Sequence, residues 1–228
     1  MSDAARPSLP TLPPHIARLP RDSRGFPVPW FVQWFDDDNK PCESGTGRPD
    51  FRVANQARIG IAVGGRRCWT CGGVVGAYKA FVIGPMCAIN RVISEPPSHR
   101  DCAIFSARAC PFLSKPRMRR NEKDIPSGLD EAAGMGLKRN PGAVCVWVTK
   151  SFKVFQAQAG NPGILFSLGN PEELLWFAEG RRAYRAEVMA SIESGYPLLE
   201  EMARAEGAAA LAALETKRKI ALKLVPED

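Results

Sequence analysis

Histidine is almost missing: His15 and His99 are the only two in 228 residues. That scarcity leaves little room for chemistry that spends histidines as both general base and metal ligand. Long apolar runs are missing too, and none approaches the ~20 residues a membrane span needs. The first stretch, MSDAARPSLPTLPPHIARLP, has no apolar core of the kind a secretory leader carries, so a reducing, cytoplasmic setting is expected. There is no Walker sequence, and Gly72, Gly73 and Gly76 lack the strand-before, helix-after setting of a dinucleotide loop. Ser98, His99 and Asp101 spell a hydrolase triad, but neighbours this close along the chain cannot adopt its geometry.

Cysteine, by contrast, is present seven times, at 42, 68, 71, 87, 102, 110 and 145. An odd number in a reducing compartment argues against a disulfide framework and for metal binding or plain burial. Hydrophobic residues make up 45% and charged residues 24% of the chain, ordinary values for a globular protein. The net charge of +7 favours polyanionic partners.

Residues 1–20 read as a flexible proline-rich arm. Trp30–Phe35 reads as an aromatic strand whose partner is Phe51–Val53, making an N-terminal hairpin. The acids Asp36, Asp37 and Asp38 between them read as a solvated turn, with a divalent cation as the alternative. Asn55 caps a short helix that runs to about Val63 and stops at Gly64-Gly65. Residues 114–140 form a basic linker with one helical turn at most. Beyond it, Ala143–Thr149, Phe152–Ala157 and Gly163–Leu168 read as strands. Asn170, Pro171, Glu172, Glu173 and Gly180 carry cap, first-turn and stop signals, so a helix is expected over 170–180. Two more helices are expected, about Tyr184–Glu193 and Pro197–Leu224.

The chemistry concentrates in 66–113. CWTCGG at 68–73 places two cysteines two residues apart and follows them with glycines, which let the backbone turn so that both thiolates face one ion. Lys79–Ile83 reads as a strand, Gly84-Pro85-Met86 as a turn and Cys87–Val92 as the returning strand. Ser98 is placed to cap a helix, whose first turn then carries His99 and Cys102 on one face. The four candidates, Cys68, Cys71, His99 and Cys102, are spaced C-x2-C-x27-H-x2-C. A closed shell of three thiolates and an imidazole is typical of a structural zinc. Cys87 or Cys110 could replace His99, and an iron–sulfur cluster on four of these five cysteines is an alternative.

Knuckle, hairpin and ligand-bearing helix, in that order, resemble a treble-clef zinc domain. The resemblance covers residues 66–112 and implies an α+β fold: a treble-clef zinc module between the N-terminal aromatic hairpin and a C-terminal strand-plus-helix region from 141. Treble clefs also underlie HNH-type nucleases, but that activity needs a base histidine on the hairpin, and here only Asn90 stands near the required place. The wider pattern CWTCGG, FVIGPMCAINR, EPPSHRDCA and ACPFL, preceded by LPRDSRGFPVPWF, resembles a set of bacterial and phage proteins; that likeness implies no activity.

No motif demands an enzyme. Arg66 and Arg67 flank the knuckle, and Lys115, Arg117, Arg119 and Arg120 follow the ligand-bearing helix. If these groups converge they would neutralise phosphates along one face, with Trp69 as a stacking surface for a base. Nucleic acid is therefore the expected partner, and a protein partner for an adaptor the alternative.

Overall fold

The computed structural model describes residues 9–121, 123, 125, 139–158 and 163–227. Much of the basic linker, 126–138, lies outside the described residues. The chain is a mixture of helices and small antiparallel sheets: β1 (Val32–Phe35), β2 (Pro41–Cys42) and β3 (Arg48–Ala54) make the first sheet, in the order β2-β1-β3. A helical turn, α1 (Pro14–Ala17), precedes it and α2 (Ala57–Gly64) follows. Asp36 sits at its tight turn, accepting backbone N–H bonds from Asp38 and Lys40 through Oδ1, so the acidic triplet closes a turn.

The second sheet decides the architecture. Its strands are β4 (Lys79–Ile83), β6 (Val144–Thr149), β9 (Pro171–Ala178) and β10 (Arg181–Arg182), in the order β10-β9-β6-β4. All six residues of β6 are buried, which requires cover on both faces. On one face Phe81, Cys145, Trp147 and Trp176 meet a third sheet and three helices. The third sheet is β5 (Val92–Ile93), β7 (Phe152–Gln156) and β8 (Ile164–Leu168) in the order β5-β8-β7; the helices are α3 (Pro85–Asn90), α6 (Arg185–Glu206) and α7 (Ala208–Ala221). On the other face Ala103 and Ala107 of α4 (Arg100–Ala109) pack on Ala80, Val144 and Val146. Small alanines let α4 lie close to the sheet, and this seat fixes where its N-terminus points. A last helical turn, α5 (Pro111–Ser114), trails α4.

Three expected elements are corrected. Residues 87–90 belong to helix α3 and form no returning strand. Pro85 stands in its first turn, Pro85, Ala88 and Ile89 share its buried side, and Arg91 ends it in the left-handed region at φ 57°. β4 therefore pairs with β6 and not with 87–92. Residues 171–178 are a strand, although the local signals spell a helix. Pairing with the fully buried β6, Leu174 opposite Trp147 and Trp176 opposite Cys145, overrides them, and proline is harmless at a strand's first position. The break expected between Glu193 and Pro197 is absent as well. α6 runs through Gly195 and Pro197; a Cβ at 195 would lie 3.0 Å from the Met86 side chain, so the glycine serves close packing of α3 on α6. The chain breaks later, at Gly207 with φ 114°.

Candidate metal centre

Two elements deliver the ligands. The knuckle 68–73 is closed by N–H bonds from Cys68 to the Gly73 carbonyl (2.7 Å) and from Gly72 to the Cys68 carbonyl (2.8 Å). Gly72 adopts φ +74°, and a Cβ there would stand 2.9 Å from the Trp30 ring. At Gly73 an added Cβ would press on His99 Cε1 at 3.2 Å and on Cys71 Sγ at 3.4 Å. Both glycines are thus needed, one for its backbone and one for room at the ligands.

Helix α4 brings the other pair. His99, not Ser98, is its N-cap, with extended dihedrals, and Cys102 is the third helical residue. The N-cap and N3 side chains of a helix meet by construction. Ser98 is occupied elsewhere: its backbone bridges Ala80 of β4 in both directions and its hydroxyl meets Thr70 Oγ1 at 2.9 Å. That bridge ties the start of α4 to the sheet on one side and the knuckle on the other.

The four side chains Cys68, Cys71, His99 and Cys102 converge, with every potential ligand atom within 4.8 Å of the others. His99 Nδ1 lies 3.3 Å from Cys71 Sγ and 3.8 Å from Cys102 Sγ. Its Nε2 lies 2.9 Å from the Val74 carbonyl. A carbonyl only accepts, so Nε2 carries the proton and Nδ1 turns a lone pair to the thiols. A tetrahedral zinc with Zn–S of about 2.3 Å and Zn–N of about 2.0 Å sets its ligand atoms roughly 3.5–3.8 Å apart, and these separations fit it with small adjustments.

The electrostatics also fit. Cys68 Sγ accepts backbone N–H bonds from Cys71 (3.4 Å) and His99 (3.3 Å). The Cys102 and Cys71 thiols, and these amides, hold the Cys68 thiol far below the usual range. Donating to Cys68 drives the Cys102 thiol far up. Cys71 is lowered by Cys102 but raised by Cys68 and by burial, ending above its ordinary value. Three thiols in one pocket cannot all ionise alone; a divalent cation removes that conflict.

The rival ligands are elsewhere. Cys87 packs against the main core, where burial pushes its thiol up to about 11. Cys110 is the C-cap at the far end of α4. Neither belongs to the four-ligand group.

One neighbour was not legible from the sequence. His15 stacks on His99 with ring centroids 4.7 Å apart and planes 14° from parallel, so the chain's two histidines touch. The adjacent Ile16 is 1% exposed and packs with Cys68, Val75, Cys102 and Phe105. The apolar spacing Leu12, Ile16, Leu19 inside the proline-rich segment is the signal that could have revealed this.

Of the basic candidates, Arg66, Arg67, Lys115, Arg117 and Arg119 are exposed. Arg120 is half-buried and donates to the Arg52 carbonyl at 2.9 Å, and Arg119 bridges Arg139 through its backbone. Trp69 offers no stacking surface. It is 4% exposed and lies face to face with Phe31 at 5.0 Å, while Trp30 donates its N–H to the Thr70 carbonyl at 2.7 Å. The aromatic N-terminal segment is thereby fastened onto the knuckle. No helix among the described residues is long and apolar enough to cross a membrane. Comparison with protein-family models, with curated proteins and with solved structures finds no match.

Proposed function

We propose that this chain is a zinc-binding protein whose metal is structural, and that it contacts nucleic acid through basic residues beside the zinc module. The observation that carries the first half is the orientation of His99, whose Nδ1 faces the Cys71 and Cys102 thiols while Nε2 is spent on the Val74 carbonyl, with Cys68 Sγ in the same cluster. Four protein ligands leave no open position for water or substrate, so the ion would hold the knuckle to α4 and do no chemistry. The two ligand-bearing elements keep treble-clef order, with α3 standing where that motif has its returning strand. The second half is supported by the charge of +7 and by the exposure of Arg66, Arg67, Lys115, Arg117 and Arg119.

Elemental analysis of the purified protein beside Cys71→Ser and His99→Ala tests the metal. One zinc per chain, lost or sharply reduced in both variants, is the expected result. Iron with visible absorbance, or no metal, would overturn the reading. The adaptor alternative is favoured by a separate observation: β7 is an edge strand on which Val154 and Phe155 are 44% and 40% exposed. It predicts a salt-insensitive protein partner and no retardation of nucleic acid in a gel.

A further inference from the structure

The segment 9–19 lies across the candidate metal centre in an unusual way. Ile16 is its peg, buried against Cys68 and Cys102, with Leu12 and Leu19 partly buried beside it. The His15 ring stacks on His99. The four ligands are unevenly covered: Cys68 and Cys102 are 0% exposed, while Cys71 and His99 are half-buried. The open flank is the one on which the His15 ring rests, close to Gly73, Cys71 and His99.

What holds the segment there is equally uneven. Its backbone bonds are internal, Ile16 and Ala17 to the Pro13 carbonyl and Leu19 to the Ile16 carbonyl. The first tie to the rest of the fold comes at Pro20, whose carbonyl accepts from Val28 at 2.8 Å. Among the described residues, no hydrogen bond or ion pair joins 9–19 to the module beneath. A cleft of about 190 Å³ lined by Pro10, Thr11, Pro13, Ile104 and Arg108, among others, also separates part of it from α4. One apolar peg and one ring stack, with a fixed point at Pro20, describe a strap that can lift as a unit.

We propose that residues 9–19 are a strap that controls exchange of the metal, closing the Cys71–His99 flank when docked and opening it when Ile16 leaves its socket. This rests on the zinc reading above and names its regulation. A chelator must reach the ion through the least covered ligands, and with the strap seated the His15 ring narrows that approach. Release is then fastest from the undocked state, and its rate rises with the undocked fraction. Replacing Ile16 with a charged residue removes most of the docking energy and should raise that fraction roughly tenfold or more. Loss of the His15 ring alone should act more weakly, in the range of severalfold.

The experiment is zinc transfer from the full chain to 4-(2-pyridylazo)resorcinol, followed by absorbance, for wild type, Ile16→Asp and His15→Ala. Metal content is measured first, and circular dichroism confirms the fold. The expected result is one zinc per chain in all three, with release faster by an order of magnitude in Ile16→Asp and severalfold in His15→Ala. Equal rates in His15→Ala and wild type, with Ile16→Asp either equal or unfolded, would overturn the strap. Loss of zinc from His15→Ala itself would make His15 a ligand and overturn it too. A wild type without zinc fails at the first measurement and overturns the metal reading with it.

Discussion

Arg100, in the first turn of α4, grips Glu173 of β9 through Nε at 2.6 Å and Nη2 at 2.7 Å. It stands next to the candidate ligand His99, so this fork pins that end of the helix to the central sheet. Its hydrogen bonds and charge hold the Glu173 carboxyl below its ordinary 4.5 despite some desolvation. A carboxyl lowered by folding stabilises above its unfolded pKa, and the contribution fades as pH falls through the folded value. Both side chains are substantially exposed, 46% and 35%, so screening limits the pair to about 0.5–1 kcal/mol. Glu173→Gln should cost about that much at pH 7 and progressively less at acid pH, as the wild-type carboxyl protonates through its lowered folded-state pKa. Denaturant melts at pH 7 and at acid pH check it, and equal losses at both would refute the charge-based account.

Glu173 also shows where the sequence misleads. With Asn170, Pro171 and Gly180 it composes a complete set of helix signals, yet 171–178 is a strand. Capping and dipole effects are each worth about 1 kcal/mol or less. Pairing against β6 buries Trp176 and Phe177 almost completely, a larger gain that no local window reveals. Cys87–Val92 misled for a similar reason: a short stretch that is apolar except at Asn90 and Arg91 fits a strand or a buried helix equally, and only the surfaces of α6 and α7 decide. Ala143–Thr149 was legible because burial on both faces leaves a continuous apolar string. The clustering of Cys68, Cys71, His99 and Cys102 was legible because tetrahedral coordination would restrict residue type and spacing together. His15 was not, since stacking leaves no spacing rule between residues 84 positions apart.

The two knuckle glycines should fail differently. At Gly72, φ +74° and a 2.9 Å approach to the rigid Trp30 ring both oppose a methyl group, so Gly72→Ala should destabilise the fold by about 2 kcal/mol, with metal or without. At Gly73 the added methyl meets His99 and Cys71 at 3.2 and 3.4 Å, so Gly73→Ala should chiefly weaken zinc binding. Thermal melts with and without chelator, beside a zinc competition titration, separate the two. Identical behaviour of both variants would contradict these assignments.

The seven thiols should react in a fixed order. Cys145 is fully buried in β6, and burial raises its thiol well above the ordinary range; Cys87 is pushed up to about 11 and Cys110 is raised, each by burial first. Thiolate is the reactive form, so these three should resist iodoacetamide at pH 7.5. Cys42 is half-buried in the short edge strand β2 and should label first in zinc-loaded protein. Stripping the metal should add Cys71 next, because it is half-buried and within reach of the reagent although its thiol is raised, whereas Cys68, despite its lowered thiol, and Cys102 are 0% exposed. Peptide mass spectrometry after timed quenching reads the order, and early labelling of Cys145 would disprove it.

Nucleic-acid contact makes its own quantitative demand. Each phosphate neutralised by a cation contributes about 0.7–0.9 to the slope of log affinity against log salt. Arg120 is a poor probe because its guanidinium also holds the Arg52 backbone, and charge reversal there would disturb that link. Arg117 and Arg119 have exposed side chains, so Arg117→Glu and Arg119→Glu together should weaken binding to single- or double-stranded oligonucleotides and flatten the slope by roughly 1–2. Reversal of Arg66 and Arg67 should give a similar change if both basic groups touch one ligand. Fluorescence anisotropy across 50–300 mM salt, in the range where counterion release is readily measured, provides the readout. If affinity and slope survive both double reversals, the basic residues are a solvated surface and the exposed edge of β7 becomes the better place to look for a partner.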